Sequence, residues 1–573
     1  MRTCESAGVG QTPIADNTVL CDVLVVGSGS AALSAALSAA VAGLSVLIVE
    51  KAATLGGTSA MSGGAVWVPA NHHALSQGVK DSPTEALAYL RATAPEGWHT
   101  TEDRLWQQFA DSAPEMLHFL EAHTPLRFEL TPEADPLMAF VGAKAFGRML
   151  TPAPLRAKVL GKGRWPLRPS PLPQIYTYQE VIREDIYHHP LRVAVKLAPR
   201  LLWRWLSGTR TKGAALITGL LAGCLAQGCR VETSARVLDL ITDDHGAVTG
   251  AWYSHHGSLT RVVADRGVVL ASGGFEWDAL RRAAHFPGPF DAISSPRTNE
   301  GDGHRMAQAV GARLAHMDQA NISGSLPTRY EGQPYGLSVF FQYEPNAILV
   351  NRHGVRFTNE FAFNLGEALD EREGAAQLPR QLPAWLIADA RVLWRAPLLL
   401  GYALRRRGWM RAARTPTALA LKLGLDPATL EQTLQRFNGF CSRGIDEDFH
   451  RHRDGGHGQG DRRFHAGMMK ITRAPFIAVP FNRSFLATKG GPRTDEFGRV
   501  IHLDGHAIPG LFCAGVAMAN PIGTRGVGAG TTLGPNLTWG YICGRTLAGD
   551  VAPRSEPSIT SLALSAITIK ALS

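Results

Sequence analysis

Cysteine is scarce in this 573-residue chain, and its seven cysteines never form a CxxC pair. That spacing argues against a disulfide framework and against a cysteine-based zinc site, and it favours a reducing compartment. Long apolar runs are also missing, because no stretch reaches about 18 uninterrupted apolar residues and the N-terminus has no signal-peptide core. We therefore expect a cytoplasmic protein without a membrane span and without a metal site.

Charge of one sign is in mild excess: Lys and Arg outnumber Asp and Glu by 58 to 49, which gives a net charge of +9. The basic residues concentrate in 188–213 and 390–416, where they alternate with Leu, Trp and Val at roughly helical spacing. This pattern is typical of amphipathic helices packed on the protein, and the alternative is peripheral association with an anionic membrane. No nucleic-acid-binding motif accompanies the charge, so we expect no nucleic-acid partner.

Residues 21–51 predict a complete βαβ unit: an apolar strand, a glycine turn, an alanine-rich helix and a second strand. Gly27 suits the tight turn, Gly29 lets backbone amides reach a pyrophosphate at the helix N-terminus, and Ala32 allows the helix to lie against the strand. Glu50 ends the second strand, about 20 residues further on, where a carboxylate accepts hydrogen bonds from a ribose. The unit predicts a bound dinucleotide.

The following segment favours FAD over NAD. Residues 51–71 place glycine pairs and small hydroxyl residues directly after the second strand. Their amides and hydroxyls suit the diphosphate, the ribityl chain and the edge of an isoalloxazine ring. Another apolar strand ending in small residues lies at 267–278, after a segment at 229–253 that alternates like β-hairpins.

A series of motifs in this order resembles the FAD-dependent family that contains fumarate reductase flavoproteins and 3-ketosteroid dehydrogenases. The resemblance extends from about residue 20 to residue 550. Three of the motifs favour the 3-ketosteroid branch: GGTSAMSGGAVWVP, GIDEDF and ATKGGPRTD. The others are VLVVGSGSAAL, VVLASGGFEW, NRHGVRFTNE, IPGLFCAGVAMANP and the glycine-rich segment 521–544.

This resemblance implies an α/β fold in which a Rossmann-like FAD-binding domain carries an inserted α+β substrate (capping) domain. The FAD-binding domain would comprise 19–285 and 476–553, and the inserted domain 286–475. Residues 554–573 would form a flexible tail.

The resemblance also implies noncovalent FAD, since the histidine that carries covalent flavin in succinate dehydrogenases falls near Gly57. In the family, the N-terminus of the last helix points at the flavin pyrimidine. The residues expected to bind FAD are Gly27, Ser28, Gly29, Ala31, Ala32, Glu50, Lys51, Gly57, Thr58, Ser59, Ser62, Gly63, Gly64, Val237, Gly273, Gly515, Asn536 and Leu537.

The catalytic tyrosines of the family are not in place. The two tyrosines of the Δ1 pattern fall at Gly526 and Asn364, and the Δ4 pattern of tyrosine and serine falls at Val527 and Ala529. The arginines of fumarate reductases fall at Asn364 and Val527, so a dicarboxylate has no clear anchor.

Four residues remain as candidates for catalysis: Gly530, Asn364, Tyr343 and Arg525. By resemblance, Gly530 would bind the 3-keto oxygen through its N–H, and Asn364 occupies a catalytic position. Tyr343 is the candidate phenol, with Tyr330 and Tyr335 as alternatives, and Arg525 is a candidate cation or electrophile. Four histidines are expected to be structural: His72, His73, His304 and His316.

The resemblance predicts an FAD-dependent 3-ketosteroid dehydrogenase that introduces a ring A double bond, Δ1 or Δ4, next to the 3-keto group. Its partners would be an apolar, steroid-like substrate and an electron acceptor such as a quinone. Two alternatives stay open: a flavin-dependent ene-reductase, and a noncatalytic FAD-binding homologue.

Overall fold

The structure is a computed structural model that describes residues 18–163, 165–338, 341–453 and 467–549. The predicted tail at 554–573 lies outside the described residues. Within those ranges, no helix has both the length and the apolar character needed to cross a lipid bilayer.

A central sheet of eight strands dominates the first part of the chain. Its main path runs in the order Arg499–Ile501, Ala507–Cys513, Ser258–Leu270, Thr18–Val26, Val46–Glu50 and Arg230–Thr233. All neighbours on this path are parallel except the first pair. Two antiparallel strands, Ala235–Thr242 and Val248–His255, extend from Ser258–Leu270.

The predicted βαβ unit is present. Strand Thr18–Val26 leads into helix Ser30–Val41, and the chain returns through Val46–Glu50, with Val23 opposite Val46 in parallel register. Val46–Glu50 and the second half of the first strand, residues 23–26, are buried, as their continuous apolar sequences require of central parallel strands.

Two helices from opposite ends of the chain pack side by side. Helix Ser30–Val41 lies against Leu533–Ala548, and Ser34 Oγ donates a 2.7 Å hydrogen bond to the carbonyl of Leu537. A Cβ atom at Gly540 would lie 2.3 Å from the carbonyl oxygen of Ala31. The small residues of both helices therefore allow a close contact that larger side chains would prevent.

A second sheet of four antiparallel strands lies in the middle of the chain, in the order Ala347–Val350, Trp385–Asp389, Phe476–Pro480 and Arg411–Ala413. Alternate residues face two apolar clusters, with Leu349 in one and Ile348 in the other. Helices Pro416–Leu423 and Pro427–Arg443 supply part of the second cluster.

Phe476–Pro480 pairs with Trp385–Asp389, although the predicted bounds assign it to the FAD-binding domain. The next strand, Arg483–Thr488, likewise pairs with Phe290–Ile293 and Ala320–Ser323. These pairings favour a boundary after residue 488, and the domain bounds stay a prediction.

Smaller elements complete the fold. The other helices are Gly57–Met61, His72–Ser76, Pro83–Thr93, His99–His123, Tyr178–Glu184, Pro190–Leu206, Lys212–Ala226, Ala279–His285, Asp302–Ala309, Gly366–Leu369, Arg391–Arg395 and Pro397–Arg405, with 3-10 turns at Ala157–Leu160, Phe341–Tyr343, Arg451–Arg453 and Gly515–Ala517. The other strands are Val66–Trp67, Phe128–Leu130, Met149–Pro152, Leu155–Arg156, Thr209–Arg210, Phe290–Ile293, Leu314–Ala315, Ala320–Ser323, Leu326–Tyr330, Gln333–Leu337, Arg372–Glu373, Leu378–Pro379, Arg483–Thr488 and Gly491–Pro492.

The helix pair makes a testable prediction about two helical glycines. Helix propensity alone predicts that alanine stabilises both sites, but at Gly540 the added methyl group meets the Ala31 carbonyl, whereas at Gly401 it meets nothing within 4 Å. We expect Gly540→Ala to lower the free energy of unfolding by about 1–3 kcal/mol and Gly401→Ala to raise it by about 0.5–1 kcal/mol. Chemical denaturation of both variants checks this, and equal effects would contradict the close packing.

Candidate functional site

A cleft opens at the carboxyl ends of the parallel strands, which is the edge where open α/β sheets bind ligands. Strands Thr18–Val26, Val46–Glu50 and Ser258–Leu270 all end at it. Its lining consists of residues 26–31, 49–51, 57–59, 235–237 and 271–273, together with Thr298, Asn299, Asp302, Gly515, Val516 and Asn536.

Most of the predicted cofactor residues line this cleft: Gly27, Ser28, Gly29, Ala31, Glu50, Lys51, Gly57, Thr58, Ser59, Val237, Gly273, Gly515 and Asn536. The others lie behind or beside it. Ala32 and Leu537 are buried in the central core. Ser62, Gly63 and Gly64 lie near Lys212 and Tyr178, and the carbonyl of Ser62 accepts a hydrogen bond from Gly213.

The turn after the first strand is built for close backbone approach. Gly27 has a φ of +112°, and a Cβ atom there would lie 2.4 Å from the Ala271 carbonyl oxygen, so only glycine fits. Gly29 precedes helix Ser30–Val41 and has no side chain to cap it, while Ser59 Oγ accepts a 3.2 Å hydrogen bond from the Ser30 amide. Gly29, Ser30 and Ala31 line the cleft, so the positive end of the helix dipole faces it and favours an anionic group there.

Glu50 lies at the end of the second strand and is oriented by its neighbours. Its Oε2 accepts a 2.6 Å hydrogen bond from Ser28, and its Oε1 accepts one of 2.9 Å from the Ala52 amide. A carboxylate has about four acceptor positions, so Glu50 keeps capacity for ribose hydroxyls.

A group of ion pairs borders the cleft next to Glu50. Lys51 Nζ lies 2.8 Å from Asp302 and 2.9 Å from Glu300, and Arg236 also pairs with Asp302 at 2.8 Å. Burial raises the pKa of Asp302, but the hydrogen bonds from Lys51 and Arg236 outweigh it and hold that pKa below its usual range. Asp302 is thus a fixed anion that orients both cations.

Asn536 and Gly515 bring the end of the chain to the same cleft. Asn536 Oδ1 is buried and has no hydrogen bond partner among the described residues. An unsatisfied buried carbonyl oxygen costs about 1–3 kcal/mol unless a ligand N–H or O–H meets it. Gly515 has a φ of +76°, and a Cβ there would lie 2.9 Å from Ala31 Cβ. These residues and the Gly27 turn fit a flavin dinucleotide.

The glycine-rich segment packs directly against a tryptophan. Cβ atoms at Gly528, Gly530 and Gly534 would lie within 2.2–2.8 Å of Trp67. The Gly530 carbonyl accepts a hydrogen bond from the Trp67 amide, while the Gly530 amide donates none to the described residues. Glycine at these positions therefore leaves room for Trp67. The Gly530 amide is available to donate to a ligand oxygen.

Asn364 and Arg525 connect the glycine-rich segment to its surroundings. The Asn364 side-chain amide donates to the carbonyls of Thr524 and Arg525. Arg525 Nε pairs with Glu367 at 2.9 Å, and its Nη1 donates to the Thr93 carbonyl. Both predicted catalytic residues therefore hold the backbone in place, and a catalytic role for them stays a prediction.

None of the three candidate tyrosines lines the cleft described above. Tyr343 is buried with its ring edge against Phe361, at a centroid distance of 5.9 Å. The hydroxyls of Tyr330 and Tyr335 each donate a 2.7 Å hydrogen bond to a backbone carbonyl, that of Pro169 and that of Ser294. The latter two tyrosines thus have a structural use.

The four histidines also make structural contacts. His304 is fully buried and lies 2.8 Å from the Gly490 carbonyl, and burial lowers its pKa to about 4. His316 stacks on Trp98 and pairs with Glu102. His72 and His73 both contact Glu121.

Sequence reasoning missed several polar residues at or near the site. Arg236, Asn299 and Asp302 line the cleft but belong to no glycine motif. Lys489 lies within the quoted ATKGGPRTD motif, and its buried amine donates to the Gly523 carbonyl. Burial lowers the pKa of Lys489 to about 8. A lysine inside a recognised motif, next to a glycine pair, is the sequence signal that could have found it.

The turn at Gly27 generates a test of flavin binding. Gly43, at the other end of the same helix, also has a positive φ of +91°, but a Cβ there meets nothing within 4 Å. We expect Gly27→Ala to be isolated with little or no flavin, while Gly43→Ala keeps it. The ratio of flavin to protein absorbance measures this, and full flavin content in both variants would contradict the cleft as the flavin site.

The comparisons with known proteins agree with this geometry. The family described as FAD binding domain matches residues 22–533. A 4-oxocyclohexanecarboxylate 2-dehydrogenase from Sinomonas cyclohexanicum is 35% identical, with 93% of each chain covered. A 3-oxosteroid 1-dehydrogenase from Mycobacterium tuberculosis is 34% identical, covering 93% of this chain and 99% of that protein.

A solved structure also aligns over nearly the whole length. The 3-ketosteroid delta1-dehydrogenase from Sterolibacterium denitrificans superposes with a TM-score of 0.81 and 32% identity, over 93% of this chain and 100% of that one. The predicted resemblance, the α/β fold class, the FAD cofactor and the oxidoreductase class are confirmed. The chain belongs to the FAD-binding flavoprotein family that includes the 3-oxosteroid dehydrogenases.

Proposed function

We propose that this flavoenzyme introduces a double bond into ring A of a 3-oxosteroid, next to the 3-keto group, at C1–C2 or C4–C5. The observation that carries the proposal is the similarity, over nearly the full chain, to a 3-ketosteroid delta1-dehydrogenase solved in complex with 1,4-androstadiene-3,17-dione. The lining of the cleft would hold FAD, whose chemistry would be to supply the acceptor for the hydride that leaves the substrate.

The residues of this chain would bind and polarise the ketone. The free amide of Gly530 is the proposed donor to the keto oxygen, where negative charge develops when the neighbouring carbon loses its proton. Trp67 and the Asn364 amide hold this part of the backbone, so the donor is preorganised. We propose Tyr343 as the base: its phenolate oxygen would take this proton and become the neutral phenol.

A second substrate class has its own support. The relative from Sinomonas cyclohexanicum, at 35% identity, acts on a monocyclic keto acid, 4-oxocyclohexanecarboxylate. Such a substrate needs a cation for its carboxylate. Arg525, the cation in the glycine-rich segment, is already paired with Glu367. This pairing favours the uncharged steroid.

The substrate proposal is tested by anaerobic reduction of the bound flavin. We expect 4-androstene-3,17-dione or 5α-androstane-3,17-dione to bleach the flavin absorbance and yield a product two hydrogens poorer. Bleaching by 4-oxocyclohexanecarboxylate alone would replace the steroid with the keto acid. Oxidation of the reduced enzyme by an enone or by fumarate, without any bleaching by ketones, would favour an ene-reductase. Indifference to every compound would favour a noncatalytic homologue.

Tyr343 is tested with Tyr335 as its matched control, because the Tyr335 hydroxyl is bound to the Ser294 carbonyl. If the Tyr343 phenol takes the proton, Tyr343→Phe should slow flavin reduction by about 100-fold or more, while Tyr335→Phe should change it little. Stopped-flow absorbance measures both rates. Equal, small effects would remove Tyr343 from the mechanism.

We further propose that an apolar and basic surface formed by 188–213 and 390–416 associates with an anionic membrane, which would hold a quinone acceptor. Glu344 joins the two parts, since His188 lies 2.8 Å and Arg395 2.9 Å from its carboxylate. One face of helix Pro190–Leu206 packs against the rest of the protein through Val193, Leu197 and Leu201. The large apolar side chains exposed on this surface are Leu191, Val195, Leu202, Trp203, Trp205, Leu206, Trp394 and Leu404.

This membrane proposal is tested by flotation with lipid vesicles. Trp205 and Leu280 are both strongly exposed, but only Trp205 lies on the proposed surface. We expect the protein to float with phosphatidylglycerol vesicles and less with phosphatidylcholine, because the surface is basic as well as apolar. Trp205→Gln should weaken flotation and Leu280→Gln should leave it unchanged. Equal behaviour of both variants would contradict the proposed surface.

A further inference from the structure

Two consecutive histidines and a distant glutamate converge at one point outside the cleft. His72 Nε2 lies 2.8 Å and His73 Nε2 3.0 Å from Glu121 Oε2. One ligand atom from each of the three residues lies within 4.8 Å of the other two. The three side chains are half-buried, so the point where they meet is open to solvent on one side.

Rigid elements hold these side chains. The histidines begin helix His72–Ser76, which Asn71 caps by accepting a hydrogen bond from the Ala74 amide. The Asn71 side-chain amide also donates to the carbonyls of Val68 and Gly147, and the residue is fully buried. The histidine pair is therefore fixed to the segments that flank the paired strands Val66–Trp67 and Met149–Pro152.

Glu121 is equally constrained. It lies in the last turns of the long helix His99–His123, and its Oε1 accepts a 2.8 Å hydrogen bond from the Phe128 amide. His118, one turn earlier, stacks on the His72 ring at a centroid distance of 3.8 Å. The Phe128 amide thus orients the Glu121 carboxylate in the way that hydrogen-bond partners behind a metal site do, and the His118 ring orients that of His72.

We propose that His72, His73 and Glu121 bind one divalent transition metal ion, Zn²⁺ or Co²⁺, with water in the remaining position. Two imidazoles and a carboxylate suit these ions, whereas Mg²⁺ and Ca²⁺ prefer oxygen ligands alone. Tetrahedral zinc with bonds of about 2.05 Å separates its ligand atoms by about 3.4 Å. The observed nitrogen to oxygen distances of 2.8 and 3.0 Å need only a small opening to reach that geometry.

The ion would be structural and would crosslink two segments of the chain. It would join the segment after strand Val66–Trp67 to helix His99–His123. Trp67, which lies five residues before His72, contacts Gly530. The expected effect is therefore on the stability of the region around Trp67 and Gly530. Cysteine spacing, which led us to expect no metal site, gives no information about this cluster. Its ligands are two histidines and a glutamate that lies 49 residues after His72 and 48 residues after His73.

The test uses the flavin-loaded full chain, stripped of metal with a chelator and titrated with ZnCl₂ by calorimetry. We expect one equivalent to bind and to raise the melting temperature. Glu121→Gln and His73→Asn should each weaken zinc binding by at least about 100-fold, since even supporting residues cost about 10–100-fold. His502→Asn is the matched control, because His502, Asp504 and His506 form a more exposed cluster that the proposal does not use.

Two further measurements make the outcome decisive. Without metal, each ligand variant must keep a flavin content and a melting temperature near those of the parent protein. If Glu121→Gln does not, His73→Asn, which lies on the other helix, tests the same site. X-ray absorption of the Co²⁺-loaded parent protein should report two imidazole ligands. The proposal is overturned if the parent protein binds no stoichiometric zinc, if both ligand variants bind it normally, or if His502→Asn abolishes binding.

Discussion

The candidate site depends on the contact between helix Ser30–Val41 and helix Leu533–Ala548. The two helices run in the same direction, since Ser34 meets Leu537 and Ser38 meets Tyr541 one turn later. Their N-terminal ends therefore lie side by side at the cleft. Two helix dipoles then point at one ligand, which suits both a diphosphate and a reduced flavin that carries negative charge.

Close packing explains the composition of both helices. At Gly540 and Gly544 the partner helix is so near that a side chain would enter its backbone or Ser38. Alanine, serine and glycine bury little apolar surface, but their small size allows the two helix backbones to come into contact. The glycine content that stands out in the sequence thus serves helix packing and the approach of Trp67 as well as ligand binding.

The sequence predicted the βαβ unit well, because strand, turn and helix each have a local signal and Glu50 lies at a fixed spacing from Gly27. The far side of the site was harder. Arg236, Asn299 and Asp302 meet only through the tertiary fold, and no periodic pattern distinguishes them from surface residues. Gly515 and Asn536 were found through family motifs, and periodicity alone would have missed them.

The catalytic positions show the same limit. Asn364 falls where the Δ1 pattern has a tyrosine, and in the structure it binds the backbone of Thr524 and Arg525. A side chain that fixes a loop cannot be told from one that handles a proton by its place in a motif. Residue type alone points to Tyr343, and in the structure its ring is buried against Phe361.

We propose that one flavin is bound jointly by the turn at 27–32 and the segment at 515–537. Amide hydrogen exchange, compared between flavin-loaded and flavin-free protein, tests this joint binding most directly. We expect FAD to protect both segments together, although they lie almost 500 residues apart. Protection of 27–32 alone, with 515–537 exchanging equally in both forms, would contradict it.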